Sequence, residues 1–183
     1  FTGDEEEDRG VFLDEMYESL RNDCDYLDSS IRWDGSAHGV ITMTPGDTTG
    51  TSKTFTASAP LFSASDVGKL ISKRYQNRAG GGQAKITAFV SSTQVTCDIQ
   101  INFDTSAVIP AGDWFLSTKS ITGLWHLEGE TISVVADGYI HKDVLVTNGT
   151  VSLTRQSFVV LLGYKYRGIA IPMNLTALGS MDN

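Results

Sequence analysis

The sequence has 183 residues, of which 40% are hydrophobic, 20% charged and 9% aromatic, and its formal net charge is −8. This length suits one domain, or one domain with a small insert, and the composition excludes collagen, coiled coils and wholesale disorder. No apolar run approaches the roughly 20 residues that span a bilayer, and residues 1–8 lack the basic start and apolar stretch of a signal peptide. Because the sequence does not begin with methionine, we expect it to be a piece of a longer polypeptide.

The negative charge is concentrated at the N-terminus. Residues 1–28 carry 11 acidic residues against Arg9 and Arg21, a net charge of −9, whereas the other 155 residues carry 11 acidic and 12 basic residues. The low isoelectric point therefore describes one segment, and the globular body is close to neutral. A protein that binds nucleic acid over its whole surface has a different charge balance.

One helix is predicted, in residues 11–24. Apolar side chains spaced at i, i+3, i+4 and i+7 define one face of it, and acidic residues before and within its first turn favour the positive end of the helix dipole. We therefore predict an acidic segment with a short helix over residues 1–25. The apolar face consists of Leu13, Met16, Tyr17, Leu20 and Cys24.

From Tyr26 onward, short β-branched runs alternate with turn signals. Asp-Gly at 137–138 and Asn-Gly at 148–149 are the clearest of these signals. Many short strands at this spacing predict an all-β fold of mainly antiparallel sheets. The candidate strands are residues 40–44, 54–57, 69–73, 84–90, 94–101, 114–119, 131–136, 139–141, 151–153 and 157–163.

The candidate strands divide into two blocks. Residues 45–119 begin with a Thr/Ser-rich stretch, and we predict that they form a small β-barrel-like insert. Residues 26–44 together with 120–183 are predicted to form the β scaffold that carries this insert. No internal repeat is convincing.

His126, Glu128 and Glu130 are the strongest candidates for chemistry. Alternate residues of a strand share one face, where a histidine and two carboxylates could bind a metal or act as acid and base. A solvated polar strand face is the more common cause of such a pattern. Cys24 and Cys97 lack the spacing of a metal site or a disulfide framework, and no nucleophile motif occurs. We therefore predict no enzyme, no metal and no cofactor.

A basic stretch lies between residues 69 and 85. It contains five basic residues and no acidic residue, with three consecutive glycines at 80–82 that lack the Lys-Ser/Thr of a phosphate-binding loop. Such charge runs are usually solvated hairpin faces. The functional alternative is a loop that contacts an acidic neighbouring subunit or the phosphates of DNA. The five residues are Lys69, Lys73, Arg74, Arg78 and Lys85.

The most specific pattern is GLWHLEGETISVVADG at residues 123–138. It resembles the GL-x-HLEG-x-x-V-x-V-x-ADG signature of the tail nozzle proteins of short-tailed bacteriophages, the tail tubular protein B-like family. Residues 26–35 and 148–164 are also similar to this family, and parts of residues 62–117 are similar to a small β-module that recurs in phage structural proteins. The motif residues are Gly123, Leu124, His126, Leu127, Glu128, Gly129, Ala136, Asp137 and Gly138.

The residues of this motif favour a structural role. Apolar residues from Leu127 to Ala136 alternate as in a half-buried strand. Asp137-Gly138 predicts a turn with positive φ, and Gly129 suits a bulge or a close backbone approach.

The resemblance implies a β-rich part of a phage tail nozzle or tube, made in the cytoplasm of the host bacterium and incorporated into the virion. It implies a homo-oligomeric ring, most often of six subunits, that forms a channel for DNA ejection. The expected partners are further tail proteins such as the adaptor and fibres, with transient passage of DNA. Neither a membrane anchor nor a chemical reaction is implied.

The sequence leaves two alternatives open. A receptor- or carbohydrate-binding β-module of a tail spike or fibre would use solvent-facing Trp33, Trp114 and Trp125 as a shallow sugar platform. An enzyme acting on cell-wall glycan would use Glu128 and Glu130, and this is the least favoured of the three functions.

Overall fold

The computed structural model describes residues 27–74 and 81–165, so Arg78 and the helix predicted over residues 11–24 lie outside it. The described residues are mostly antiparallel β-sheet, including a sheet curled into a half-barrel, which confirms the predicted all-β fold. The strands are β1 (Leu27–Asp34), β2 (Met43–Pro45), β3 (Lys53–Ala57), β4 (Leu70–Lys73), β5 (Gly82–Ser91), β6 (Gln94–Ile101), β7 (Trp114–Leu116), β8 (Thr118–Thr122), β9 (Thr131–Ala136), β10 (Tyr139–Leu145), β11 (Thr150–Ser157) and β12 (Val159–Lys165).

Two short 3-10 turns, Ala64–Asp66 and Trp125–Leu127, interrupt the strands. Within the described ranges, no helix has the length and apolar character needed to cross a membrane.

Strands β2 to β7 form a six-stranded antiparallel sheet in the order β2-β3-β6-β5-β4-β7. Side chains alternate between the two faces of each strand, so Phe55 of β3 and Val95 of β6, which are paired in register, are buried together. Trp114 of β7 is fully buried in the same core. Its indole N–H donates to the carbonyl oxygen of Ile41 at 3.0 Å, which satisfies the one polar group of this side chain.

Strands β1, β12, β9 and β10 form a four-stranded antiparallel sheet in that order, and β11 pairs with β8 in a two-stranded sheet. Val134 of β9 and Leu162 of β12 are paired in register on one face of the larger sheet. Ile121 of β8 and Val151 of β11 are paired in the smaller one. All four side chains are buried in a single hydrophobic cluster, so the two sheets pack face to face.

The described residues contain two hydrophobic clusters with no residue in common. The buried members of one lie within residues 43–116, and those of the other within residues 121–162. Gly35 joins the two parts of the chain, because its N–H donates to the carbonyl of Phe158 and its own carbonyl accepts from the N–H of Leu116, both at 2.8 Å. A Cβ at Gly35 would collide with the carbonyl oxygen of Leu116, so this crossing needs glycine.

The prediction of a single strand over residues 114–119 is wrong. Residues Trp114–Leu116 and Thr118–Thr122 are separate strands in different sheets, and the buried Ser117 lies between them. Its Oγ accepts a hydrogen bond from the N–H of Leu70 at 2.7 Å and donates to Oε1 of Gln156 at 2.9 Å. Two partners from different sheets therefore fix the point where the chain passes from one sheet to the other.

Two predicted turns are confirmed, and both have positive φ. Asp137 and Gly138 (φ 52° and 80°) connect β9 to β10, and Asn148 and Gly149 (φ 53° and 61°) precede β11. These residue types adopt the left-handed region at the lowest cost. Strand β1 is not among the strands predicted from the residue pattern.

Candidate functional site

The motif segment around His126 is not a strand, and the strand predicted over residues 131–136 is confirmed as β9. Trp125–Leu127 is a 3-10 turn, and β9 begins only at Thr131. Leu124 and Leu127, three residues apart, both point into the second cluster and are 0% and 1% exposed. The expectation that His126, Glu128 and Glu130 share one strand face is therefore wrong, because burial of the two leucines determines a turn.

Glu128 fastens the motif to the turn before β11. Its carboxylate accepts hydrogen bonds from the backbone N–H groups of Asn148 at 2.9 Å and Gly149 at 2.6 Å. The indole of Trp125 lies against Gly149, where an added Cβ would come within 2.7 Å of the ring. The N–H of Leu124 donates to the carbonyl of Gly149 at 2.9 Å. A carboxylate, an aromatic ring and a backbone N–H of the motif segment therefore all contact the turn at Asn148-Gly149.

Asp137 makes an equivalent connection at the other end of the motif. Its Oδ1 accepts from the N–H groups of Phe158 at 2.8 Å and Val159 at 2.9 Å. Its own N–H donates to the carbonyl of Val159 at 2.8 Å. The preceding Ala136 is fully buried, and its carbonyl accepts from the guanidinium of Arg155 at 3.2 Å. The two carboxylates among the motif residues, those of Glu128 and Asp137, therefore both bind backbone N–H groups.

Two further motif residues are glycines with positive φ, and His126 lies at the surface. Gly123 and Gly129 have φ of 88° and 78°, and an added Cβ would meet no atom within 4 Å at either position. Gly129 is thus required by its positive φ and not by a close approach. His126 is exposed, and its Nε2 lies 3.5 Å from the carbonyl of Ser29.

No three His, Cys, Asp or Glu residues among those described lie close enough to hold a metal ion. Cys97 is buried in the first cluster, and this burial, with a smaller contribution from the charge of Asp98, raises the pKa of its thiol to about 12. The thiol is therefore protonated near neutral pH and acts as a small apolar side chain.

Two lysines of the basic stretch form ion pairs with carboxylates of the same chain. Lys69 Nζ lies 2.7 Å from Asp66 Oδ1, and Lys73 Nζ lies 2.6 Å from Asp104 Oδ1. Hydrogen bonding from Lys73 lowers the pKa of Asp104. The fold therefore brings carboxylates from outside the stretch to these two lysines, which a count of charges within residues 69–85 does not reveal.

The other described bases of the stretch remain at the surface. Arg74 lies over the ring of Phe115, with 5.1 Å from its guanidinium carbon to the ring centroid. Lys85 is exposed and is paired in register with Asp98 of β6. Arg78 lies outside the described residues.

The three tryptophans do not form a common platform. Trp114 is fully buried, Trp33 packs against the second cluster, and Trp125 is 68% exposed. The expectation of three solvent-facing rings is therefore wrong, because Trp114 belongs to the first hydrophobic cluster and Trp33 packs against the second.

The sequence analysis does not predict a shallow groove of about 280 Å³ between β10 and β11. His141 bridges it: Nδ1 donates to the carbonyl of Lys142 at 2.7 Å, so Nε2 accepts from the N–H of Thr154 at 3.2 Å. The guanidinium of Arg155 lies 5.3 Å from the ring centroid of Tyr139. Tyr139 and His141 lie in a predicted strand, but no local pattern indicates that β11 lies beside that strand.

No protein-family model matches the sequence, and no curated protein is significantly similar to it. The motif pattern and the geometry of its residues are therefore the basis for assigning a function.

Proposed function

We propose that this chain is a β-rich part of the tail nozzle or tube of a short-tailed phage. The proposal starts from the resemblance of residues 123–138, and one observation supports it. The carboxylates of Glu128 and Asp137 each accept two backbone N–H groups from segments about 20 residues further along the chain. Such a motif holds strands and turns together, which is what a structural subunit requires.

In this proposal the chain acts by assembly and catalyses no reaction. Subunits, six by the family resemblance, pack into a closed ring whose interior is the channel for DNA during ejection, and the ring contacts the adaptor and fibres in the virion. A closed ring of more than two subunits needs two different complementary surfaces on each subunit. Exposed apolar side chains are suited to such contacts, for example Val90 (54%) in the six-stranded sheet and Leu145 (54%) in the four-stranded sheet.

The carbohydrate-platform alternative has lost its main support. It requires several aromatic rings on one surface, but Trp114 is fully buried. We therefore propose no second function.

Electron microscopy of the purified full chain, together with sedimentation velocity, tests the proposal. We expect closed rings with a central opening and a single large species in sedimentation. Genes for a portal and an adaptor beside the gene for this chain would add independent support. A chain that stays monomeric at high concentration and binds host polysaccharide would contradict a nozzle and favour a receptor-binding module.

A further inference from the structure

The groove between β10 and β11 has a positively charged lining. It contains an arginine, a lysine and a histidine, together with an aromatic ring, an aliphatic side chain and a hydroxyl group, and no acidic residue lines it. Its volume of about 280 Å³ is just below the range of about 300–1,000 Å³ that is usual for small-molecule sites. The groove is therefore large enough for one small ligand. Its lining residues are Tyr139, Ile140, His141, Lys142, Thr154 and Arg155.

The guanidinium of Arg155 is the group in this groove that is best suited to bind an anion. One of its terminal nitrogens donates to the carbonyl of Ala136 at 3.2 Å, and the group lies over the ring of Tyr139, 5.3 Å from the centroid. These two contacts orient the guanidinium, which has five N–H donors in total. An oriented guanidinium binds a carboxylate or a phosphate through two parallel hydrogen bonds.

No carboxylate of the described residues neutralises the two permanent cations of the groove. Arg155 and Lys142 are both exposed, and neither forms an ion pair within the described ranges. Asp143 follows Lys142 in the sequence, but its carboxylate binds Lys165 at 2.9 Å and the hydroxyl of Ser133 at 3.0 Å. An anionic ligand would thus meet two positive charges without breaking an ion pair of the chain.

His141 connects the two sides of the groove. Its Nδ1 donates to the carbonyl of Lys142 at 2.7 Å, and its Nε2 lies 3.2 Å from the N–H and 2.9 Å from the hydroxyl oxygen of Thr154. Both ring nitrogens are thus bonded within the chain, and the ring joins two strands that belong to different sheets. This bridge sets the spacing between Lys142 on β10 and Arg155 on β11.

We propose that this groove binds an acidic sugar, that is, a single sugar ring that carries a carboxylate or a phosphate. Arg155 and Lys142 bind the anionic group. The side chains of Tyr139 and Ile140, which are 69% and 86% exposed, contact the C–H groups of the sugar ring. A small inorganic anion would leave these two apolar side chains uncovered. The site is separate from the platform of three tryptophans, and the proposal does not depend on the tail function.

Saturation-transfer NMR of the full chain tests the proposal, with glucuronate, glucose 6-phosphate and glucose as probes. Glucose has the same ring as the other two but carries no charge. We expect at least one of the anionic sugars to bind saturably and roughly tenfold more tightly than glucose, because a hydrogen bond to a charged group contributes about this much. The tighter of the two anionic probes identifies the preferred group as a carboxylate or a phosphate. Its binding should weaken as the ionic strength rises.

Two variants locate the binding in the groove. Lys142→Gln and Arg155→Gln should each weaken binding of the anionic probe by roughly tenfold, while Lys119→Gln leaves it unchanged. Lys119→Gln is the matched control, because it removes the same charge at an exposed lysine outside the groove. Arg155→Gln also removes the hydrogen bond to Ala136. Lys142→Gln keeps the test independent of folding, because the side chain of Lys142 makes no hydrogen bond to the described residues.

Four results would overturn the proposal. Neither anionic sugar may bind saturably, or glucose may bind as tightly as both of them, which would mean that the charge is not recognised. Unchanged affinity in both Lys142→Gln and Arg155→Gln would place the binding outside the groove. An equal loss of affinity in Lys119→Gln would mean that the effect of charge is not specific to the groove.

Discussion

The carboxylate of Glu128 accepts a 2.6 Å hydrogen bond from the backbone N–H of Gly149. The N–H of Asn148 donates to the same carboxylate at 2.9 Å, so one side chain satisfies both residues of the turn. Side chains of this kind cap helices by accepting the N–H groups that the backbone leaves free, and here the same chemistry caps a β-turn.

Replacing Glu128 with alanine should lower the free energy of unfolding by about 1 kcal/mol, the usual cost of removing a side-chain cap. Glu128→Gln should cost less, because one carbonyl acceptor remains. Urea unfolding of each variant measures the effect. Glu130→Ala is the control, since Glu130 is exposed and its side chain makes no hydrogen bond to the described residues. Equal losses in Glu128→Ala and Glu130→Ala would contradict the capping role.

We also expect the full chain to hydrolyse neither peptidoglycan nor polysaccharide. Glu128 is held by backbone N–H groups, and it does not share a strand face with Glu130. Release of reducing ends from purified cell walls is a suitable assay. Turnover that is abolished by Glu128→Gln in a folded protein would show that the motif is catalytic.

Gly138→Val should lower the free energy of unfolding by roughly 1–3 kcal/mol, the cost of holding a residue in a sparsely populated backbone region. The φ of Gly138 is 80°, which a β-branched residue rarely adopts. Gly138→Asn should cost much less, because asparagine tolerates this region and an added Cβ meets no atom within 4 Å. An unchanged melting temperature for Gly138→Val would mean that the turn differs from this geometry.

The turns could be predicted from the sequence because their cause is local. Asp137-Gly138 and Asn148-Gly149 consist of residues that favour positive φ, whatever surrounds them. The break at Ser117 has no such local cause. It depends on Leu70 and Gln156, 47 and 39 residues away along the chain, so an uninterrupted β-like run conceals it.

The candidate site was harder to predict for the same reason. His126, Glu128 and Glu130 alternate as on a strand, but Leu124 and Leu127 are spaced for one side of a turn and their burial decides the conformation. Neutralisation of Lys73 by Asp104, 31 residues later, is equally invisible to a local count of charges. Short-range patterns therefore identified the elements, and long-range contacts set their chemistry.

His38 should make stability decrease as the pH falls below about 6.5. Its ring stacks on Trp114 with centroids 4.3 Å apart, and burial lowers its pKa, which the carbonyl of Gly35 and the charge of Asp34 only partly offset. The unfolded chain therefore takes up this proton first as the pH falls below about 6.5. The contribution of His38 to stability is fully present above that pH and decreases below it, until the folded group is protonated.

Unfolding free energies measured from pH 7 to pH 5 test whether stability decreases as the pH falls. His38→Phe keeps an aromatic ring on Trp114 and should remove the part of the pH dependence due to this residue. His126→Phe is the control, because His126 is exposed. If the pH dependence of stability persists in His38→Phe and disappears in His126→Phe, it is due to His126 and not to His38.

The basic stretch should contribute to contacts between subunits. Lys69 and Lys73 are paired with carboxylates within the chain. Arg74 and Lys85 are exposed, and Arg78 belongs to the same basic stretch of the sequence. In the proposed ring, the acidic residues 1–28 of a neighbouring subunit, with a net charge of −9, are the expected partner. If the chain forms the proposed channel, a contact between subunits is more favourable than one with DNA, because basic side chains bind phosphates tightly at moderate salt and would retard DNA.

Arg74→Glu with Arg78→Glu should therefore weaken oligomerisation, most clearly at low ionic strength, where charges are least screened. Sedimentation at two salt concentrations measures this change. Lys119→Glu with Lys142→Glu is the matched control, because it changes the net charge equally at two exposed lysines elsewhere. If both double variants assemble like the wild type at low salt, the stretch makes no subunit contact. If Arg74→Glu with Arg78→Glu then alters only DNA ejection, the stretch faces the channel, since charge reversal next to a passing phosphate backbone changes its movement without changing the ring.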